Sequence, residues 1–134
     1  MQVILSDHNC EGQAKAIFDA LRYDGTWLKL VPMTLKWFRD IGLPISTDDE
    51  MVWRLCQEQG YLLLTGNRSS DDGEKSLEFT IHRLITPDSL PVLTIGNLKR
   101  VMSDPIYCKR CAERLAEIVH DLHDYRGLMR VYLP

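Results

Sequence analysis

Short apolar runs alternate along the chain with longer stretches in which apolar residues return every three or four positions. Gln2 to Ser6 is apolar and short, and the turn-forming Asp7, His8 and Asn9 follow it at once, which is the pattern of a buried strand ending at a sheet edge. Ala14, Ile17, Phe18 and Leu21 then recur at helical spacing until Asp24 and Gly25 stop the run. The next stretch has two readings: Trp27 to Val31 as a strand, or Met33 to Ile41 as a short helix. Thr47-Asp48-Asp49-Glu50 has the form of a capping box, with Met51, Val52, Leu55 and Cys56 as the buried stripe behind it.

Gly60 closes that helix, and Tyr61 to Thr65 reads as a second buried strand. A polar loop from Gly66 to Gly73 leads into a helix carrying Leu77, Ile81 and Leu84. Pro91 to Ile95 is a third strand, closed by Gly96 and Asn97. A long helix is expected from Asp104-Pro105 to about Tyr125, since proline suits a first turn. Its stripe is Cys108, Cys111, Ala112, Leu115, Ile118, Val119 and Leu122, and Leu128 to Leu133 supplies a last strand. Strands alternating with helices predict a three-layer α/β/α fold around a mostly parallel sheet. No repeat, low-complexity tract or linker divides the chain, so residues 1–134 are expected to form a single domain.

Composition narrows the function classes. With 45% hydrophobic and 26% charged residues, the chain has the profile of a globular protein with a real core. A net charge of −3 speaks against a protein that coats nucleic acid electrostatically, but permits an enzyme that meets a few phosphates through local Arg and Lys. No apolar run is long enough to span a bilayer, and Met1 to Ser6 lacks the basic region and cleavage site of a signal peptide. Four cysteines without export signals fit a reducing compartment, so the expected location is the cytoplasm.

In open parallel sheets, ligands bind beyond the carboxyl ends of the strands, where several loops converge. The first strand ends in Asp7-His8-Asn9, the Tyr61 strand in Asn67 and Arg68, and the Pro91 strand in Asn97. Asp71 and Asp72 lie on the loop after the second of these. Asp48, Asp49 and Glu50 open a helix whose start is expected at the opposite end of the sheet unless the preceding segment crosses over. Carboxylates gathered at one edge repel one another unless a cation neutralises them, and hard ions such as Mg²⁺ or Mn²⁺ take such oxygen ligands. With a substrate phosphate these ions activate water for phosphodiester cleavage. Capping and the helix dipole would account for Asp48 to Glu50 without a site, and a solvated turn for Asp71 and Asp72. Asp7 has little structural purpose at the end of a buried first strand.

Three pieces in this order resemble the PIN-like nucleases, in particular the small toxin-like bacterial members. They are Val3 to Asn9 with its strand and D-x-N opening, Thr47 to Leu55, and Gly60 to Arg68 with a strand ending in an acid or amide followed by Arg. Asp71-Asp72 with Ser76-Leu77-Glu78 resembles a continuation seen in one branch of the group. The resemblance covers about the first two-thirds of the chain. It implies a Rossmann-like PIN fold and a metal-dependent ribonuclease of the kind that serves as the toxin of a toxin–antitoxin pair. It carries catalytic roles onto Asp7, Asp49 (or its neighbour Glu50) and Asn67, with Asp71 or Asp72 as the compensating acid. Asp7, Asp49 and Asp72 are the expected metal ligands, Mg²⁺ or Mn²⁺ the ion, and Asn9 and Arg68 the substrate contacts. RNA is the implied substrate, and an antitoxin, another protein or a second copy of the chain the implied partner. Many relatives have Asp where this chain has Asn67, and an amide holds a cation less well. A degenerate PIN-like domain that binds protein or nucleic acid without cleaving is therefore the alternative.

Cys108/Cys111 and His120/His123 look at first like zinc ligands. On one continuous helix the pairs lie about 18 Å apart, too far for one coordination sphere. The cysteines are expected to be buried core residues. Trp27, Trp37 and Trp53 read as core or interface aromatics, and Lys99 and Arg100 as ordinary surface cations.

Overall fold

A computed structural model describes residues 1–66 and 72–134, the side chains of 72–76 excepted. Strands β1 (Gln2–Ser6), β2 (Met33–Lys36), β3 (Leu62–Gly66), β4 (Val92–Ile95) and β5 (Arg130–Leu133) form one sheet in the order β2-β1-β3-β4-β5, every pair parallel. Parallel neighbours need crossovers, and helices supply them. Helices α1 (Glu11–Asp24) and α2 (Thr26–Leu30) join β1 to β2, and α3 (Asp49–Gln59) joins β2 to β3. Helix α4 (Asp72–Leu84) lies between β3 and β4, and α5 (Leu98–Ser103) with α6 (Pro105–His120) between β4 and β5.

Alternate residues of each strand face opposite layers. Ile4, Leu62, Leu64, Leu93 and Ile95 pack with Ala14, Ile17 and Phe18 of α1 and Cys111, Leu115 and Ile118 of α6. Leu5, Leu63 and Val92 face the other way, against Val52, Trp53 and Cys56 of α3 and Leu77 and Ile81 of α4. Both faces of the sheet are covered, and the predicted α/β/α layering holds. This also explains why β3 reads as three consecutive leucines rather than as an alternating strand.

The segment after α1 reverses both sequence readings: Thr26–Leu30 is helical and Met33–Lys36 is the strand. Pro32 decides it. The residue before a proline is driven out of the helical region, and Val31 ends α2 at φ −133°, ψ 82°. The Gln2 amide then donates to the Pro32 carbonyl at 3.2 Å and sets β2 beside β1.

The capping box is also not as expected. Asp48, not Thr47, caps α3: its Oδ1 accepts from the Met51 amide at 2.9 Å, while the Thr47 hydroxyl donates to the Pro44 carbonyl at 2.6 Å. Trp53, rather than Met51, completes the buried face with Val52 and Cys56, and Met51 is 60% exposed. The long C-terminal helix stops at His120, and Leu122–Tyr125 continues it only as a 3-10 turn. Helix α5 was not foreseen. Asn97 caps it, its Oδ1 accepting from the Arg100 amide at 3.1 Å, and Asp104 ends it while capping α6 through the Ile106 and Tyr107 amides. The Arg100 guanidinium, more than those amides, holds the Asp104 carboxyl below its usual range.

All four cysteines are free and buried. Burial pushes the Cys111 thiol up to about 12, and burial with a smaller push from the charge of Asp7 does the same to Cys56.

Two outcomes follow for stability. Asp48→Ala should cost about 1 kcal/mol in urea unfolding, and Thr47→Ala only a few tenths of that, because the first removes the cap and the second a local turn bond. Cys56 and Cys111 should resist iodoacetamide at pH 8 until the protein unfolds. Since folding raises both thiols, their contribution is constant while both states keep the proton. It is lost as pH rises from the ordinary thiol range toward about 12. A urea midpoint that holds steady across that alkaline range would contradict this assignment.

Candidate functional site

The strand order places β1 between β2 and β3, so the chain leaves β1 toward one side of the sheet and returns on the other. Such a reversal opens a crevice beyond the carboxyl ends of the two strands where it occurs, β1 and β3. Asp7 is the first residue after β1, at this point. Its amide donates to the Leu64 carbonyl at 2.8 Å, extending the β1–β3 ladder past the strand. Its carbonyl accepts from the Cys10 amide at 3.2 Å and the Ser6 hydroxyl at 2.9 Å, which fixes the 3-10 turn His8–Cys10.

The side chain is held as firmly as the backbone. Asp7 Oδ2 accepts from the Thr65 hydroxyl at 3.1 Å, and Oδ1 lies 3.0 Å from His8 Nδ1. Thr65 is buried inside β3, whereas the Asp7 and His8 side chains are 20% and 44% exposed. A carboxylate braced from below by a buried hydroxyl and open above is an accessible charge in a fixed position. The His8 ring meets Phe38 edge-on, centroids 6.1 Å apart, so the exit from β2 reaches the same edge. Arg39, next in the chain, pairs with Glu11 at 3.2 Å and stacks over Trp37 at 5.3 Å.

Asn9 is half-buried, and its Oδ1 is enclosed with no hydrogen-bond partner among the described residues. A buried acceptor left without a donor costs about 1–3 kcal/mol, a cost that no hydrogen bond among the described residues offsets. Gly66 is the last residue of β3, and the position favours glycine because a Cβ there would lie 2.6 Å from the Leu98 side chain. Asn97, at the end of β4, is occupied as the α5 cap. Arg100 is also committed, stacked on Tyr107 at 4.3 Å and paired with Asp104 at 3.1 Å.

The position of α3 corrects the expected side of its acidic start. Helix α3 follows a strand parallel to β1 and ends at Gly60, whose carbonyl accepts from the Gln2 side chain at the amino edge. It therefore runs from the carboxyl-edge side downward, and its first turn lies toward the edge that carries Asp7. Asp48 is used by the cap, and Glu50 pairs with Arg54 and Arg83. Asp49 stands between them as the first helical residue. Asn67, Arg68 and Asp71 lie outside the described residues. Asp72 begins α4, the helix that follows β3, and its side chain also lies outside them.

Among the described residues, no three or more His, Cys, Asp or Glu side chains form a group able to hold a metal ion. Asp7 and Asn9 offer hard oxygen atoms of the kind Mg²⁺ and Mn²⁺ prefer, so the donor chemistry fits while the set needs further ligands. The second metal-like pattern dissolves. Cys108 and Cys111 are core residues, and His120 and His123 pair with Asp121 and Asp124 at 2.9 and 3.2 Å. Sequence reading missed Thr65 and Arg39. Thr65 carries a signal in hindsight, since a hydroxyl that follows three buried leucines in a strand needs a partner.

Thr65→Val keeps the volume and removes the donor, and should cost about 1–2 kcal/mol despite the favourable β-branched replacement. Thr65→Ser should restore most of that loss. Urea midpoints at unchanged m-value measure both, and equal stability of the valine variant would remove Thr65 as the brace of Asp7. In comparisons with known proteins, no family model, no curated protein and no solved structure matches this chain.

Proposed function

We propose that the protein is a metal-dependent phosphodiesterase acting on single-stranded RNA, with Asp7 at the centre of its site. The observation that carries this reading is the Asp7 carboxylate, braced by Thr65 at the switch point of the sheet and open to solvent. The resemblance of the Asp7, Asp49 and Asn67 segments to the PIN-like nucleases agrees with it. Asp7, Asp49 and Asp71 or Asp72 would hold Mg²⁺ or Mn²⁺, with Asn67 in support. When bound, the ion supplies charge stabilisation at the phosphoryl oxygens and a water acidic enough to attack. Asn9 and Arg68 orient the ribose-phosphate backbone, and His8 keeps the Asp7 carboxylate turned toward the opening. With a net charge of −3, the chain binds RNA through few phosphate contacts, so its affinity depends weakly on salt.

One observation favours a binding-only domain: each Asp7 oxygen already has a protein partner. Asp7→Asn separates the two readings. Asparagine can still accept from Thr65 and donate to His8, so stability should change by less than about 1 kcal/mol. Cleavage of single-stranded RNA should require Mg²⁺ or Mn²⁺, stop with chelator, and fall more than about a hundredfold in the variant. Asn67→Asp should tighten Mn²⁺ binding. If pure wild-type protein cleaves nothing and Asp7→Asn binds Mn²⁺ as well as wild type, the binding-only reading replaces the catalytic one.

A further inference from the structure

Helices α1, α2 and α6 leave a trough in the layer opposite α3 and α4. A concavity of about 480 Å³ lies among Ala20 and Leu21 of α1, Trp27 of α2 and Ala112 of α6. A second, of about 240 Å³, shares Trp27 with the first and continues past Leu30 to the end of α6. Tyr23 and Leu30 line the trough while 95% and 67% exposed, so apolar surface continues from its floor to its lip.

The rim is charged mainly one way. Asp24, Glu113, Glu117 and Asp121 face a single lysine, Lys109. Glu113, Glu117 and Asp121 follow one another at four-residue spacing, which sets them in one row with steps of about 6 Å. Glu117 and Asp121 also stand at the C-terminal end of α6, where the helix dipole is already negative and an added carboxylate is unfavourable. Their own partners compensate poorly. Glu113 and Glu117 reach Lys109 and Arg114 only at 3.9 Å, and the 2.9 Å contact of Asp121 is to His120, which is charged only when protonated. A sequence that breaks a local rule without return inside the fold points to a function at that place.

We propose that this trough is a docking site for a basic amphipathic helix of a partner protein. Apolar residues of the partner at i, i+3, i+4 and i+7 fill the trough over Trp27, and Lys or Arg at four-residue spacing face Glu113, Glu117 and Asp121. A second copy of this chain fits less well, because a symmetric contact through this face would set one acidic row against the other. The trough lies on the helical layer, not at the carboxyl edge, and the inference does not depend on the Asp7 reading.

The test uses a synthetic peptide of about four helical turns, with leucine on one face and lysine at four-residue spacing on its flank. Binding is followed by anisotropy, and by NMR of the full-length protein. Saturable binding should move the Trp27 indole and the Ala20 and Ala112 methyl resonances. The double substitution Glu113→Lys with Glu117→Lys should weaken it about tenfold, the Glu113→Gln, Glu117→Gln pair should weaken it less, and a peptide with glutamate in place of lysine should not bind. Glu117 is exposed and Glu113 half-buried, and circular dichroism checks that each variant is folded. The proposal is overturned by the absence of saturable binding at millimolar peptide, by shifts confined to other faces, or by undiminished affinity in the charge-reversed variant. Sedimentation showing that the chain covers this face with a second copy of itself would overturn it too.

Discussion

Beside β3, the amide of Asp7 donates to the Leu64 carbonyl at 2.8 Å, carrying the ladder between β1 and β3 one residue beyond the end of β1. Much of the carboxyl edge depends on this extension. It places the Asp7 carboxylate level with Thr65, whose hydroxyl can then reach it, and it starts the turn whose next residues are His8 and Asn9. Parallel pairing is what makes the extension useful. In a parallel sheet all strand exits share one edge, so a residue held just past β1 meets the exits of β2 and β3 without any long loop. The His8–Phe38 contact is the direct sign of that convergence.

The parts of the fold legible in the sequence were those where one signal had no local competitor. Leu62, Leu63 and Leu64 could hardly be anything but a strand covered on both faces, and Asp24-Gly25 ended α1 as expected, with Gly25 in the left-handed region at φ 76°. The failures occurred where two local rules compete. Trp27 and Leu28 suit a strand or a helix, and only Pro32 and the hydrogen bond from Gln2 settle it. Thr47 and Asp48 are both good caps, and the choice depends on which oxygen reaches the Met51 amide. The sequence pointed to Asp7 as a site residue, since its type conflicts with its position. It did not point to Thr65, because the distance from Thr65 to Asp7 along the chain says nothing about a contact made by strand pairing.

Several charges that look functional in the sequence are spent on structure. Asp48 caps α3, Glu50 ties α3 to α4 through Arg83, Asn97 caps α5, and Asp104 joins α5 to α6 with Arg100. Each satisfies backbone groups or balances a charge that would otherwise be left over. A sheet edge where many helices begin must be rich in such residues, because every helix start needs acceptors. Acidic composition at a carboxyl edge is therefore weak support for a metal site by itself. Asp7 differs from these residues: its side chain caps no helix, and its partners are a threonine inside a strand and a neighbouring histidine.

Cys56 bears on which donors this edge can offer. It lies in the core of α3, near enough to Asp7 that the carboxylate's charge adds to burial in raising its thiol to about 12. At neutral pH the sulfur therefore stays protonated, and a thiol is neither a good metal ligand nor a nucleophile. Had Cys56 ionised, a soft ligand beside Asp7 would favour zinc over Mg²⁺ or Mn²⁺. Burial is the larger cause and the charge of Asp7 the smaller, so the carboxylate reinforces a protonation state that the core already imposes. Of the oxygens named at this edge, those of Asp7 belong to a partly exposed side chain while Asn9 Oδ1 is enclosed, so Asp7 is the group that solvent reaches.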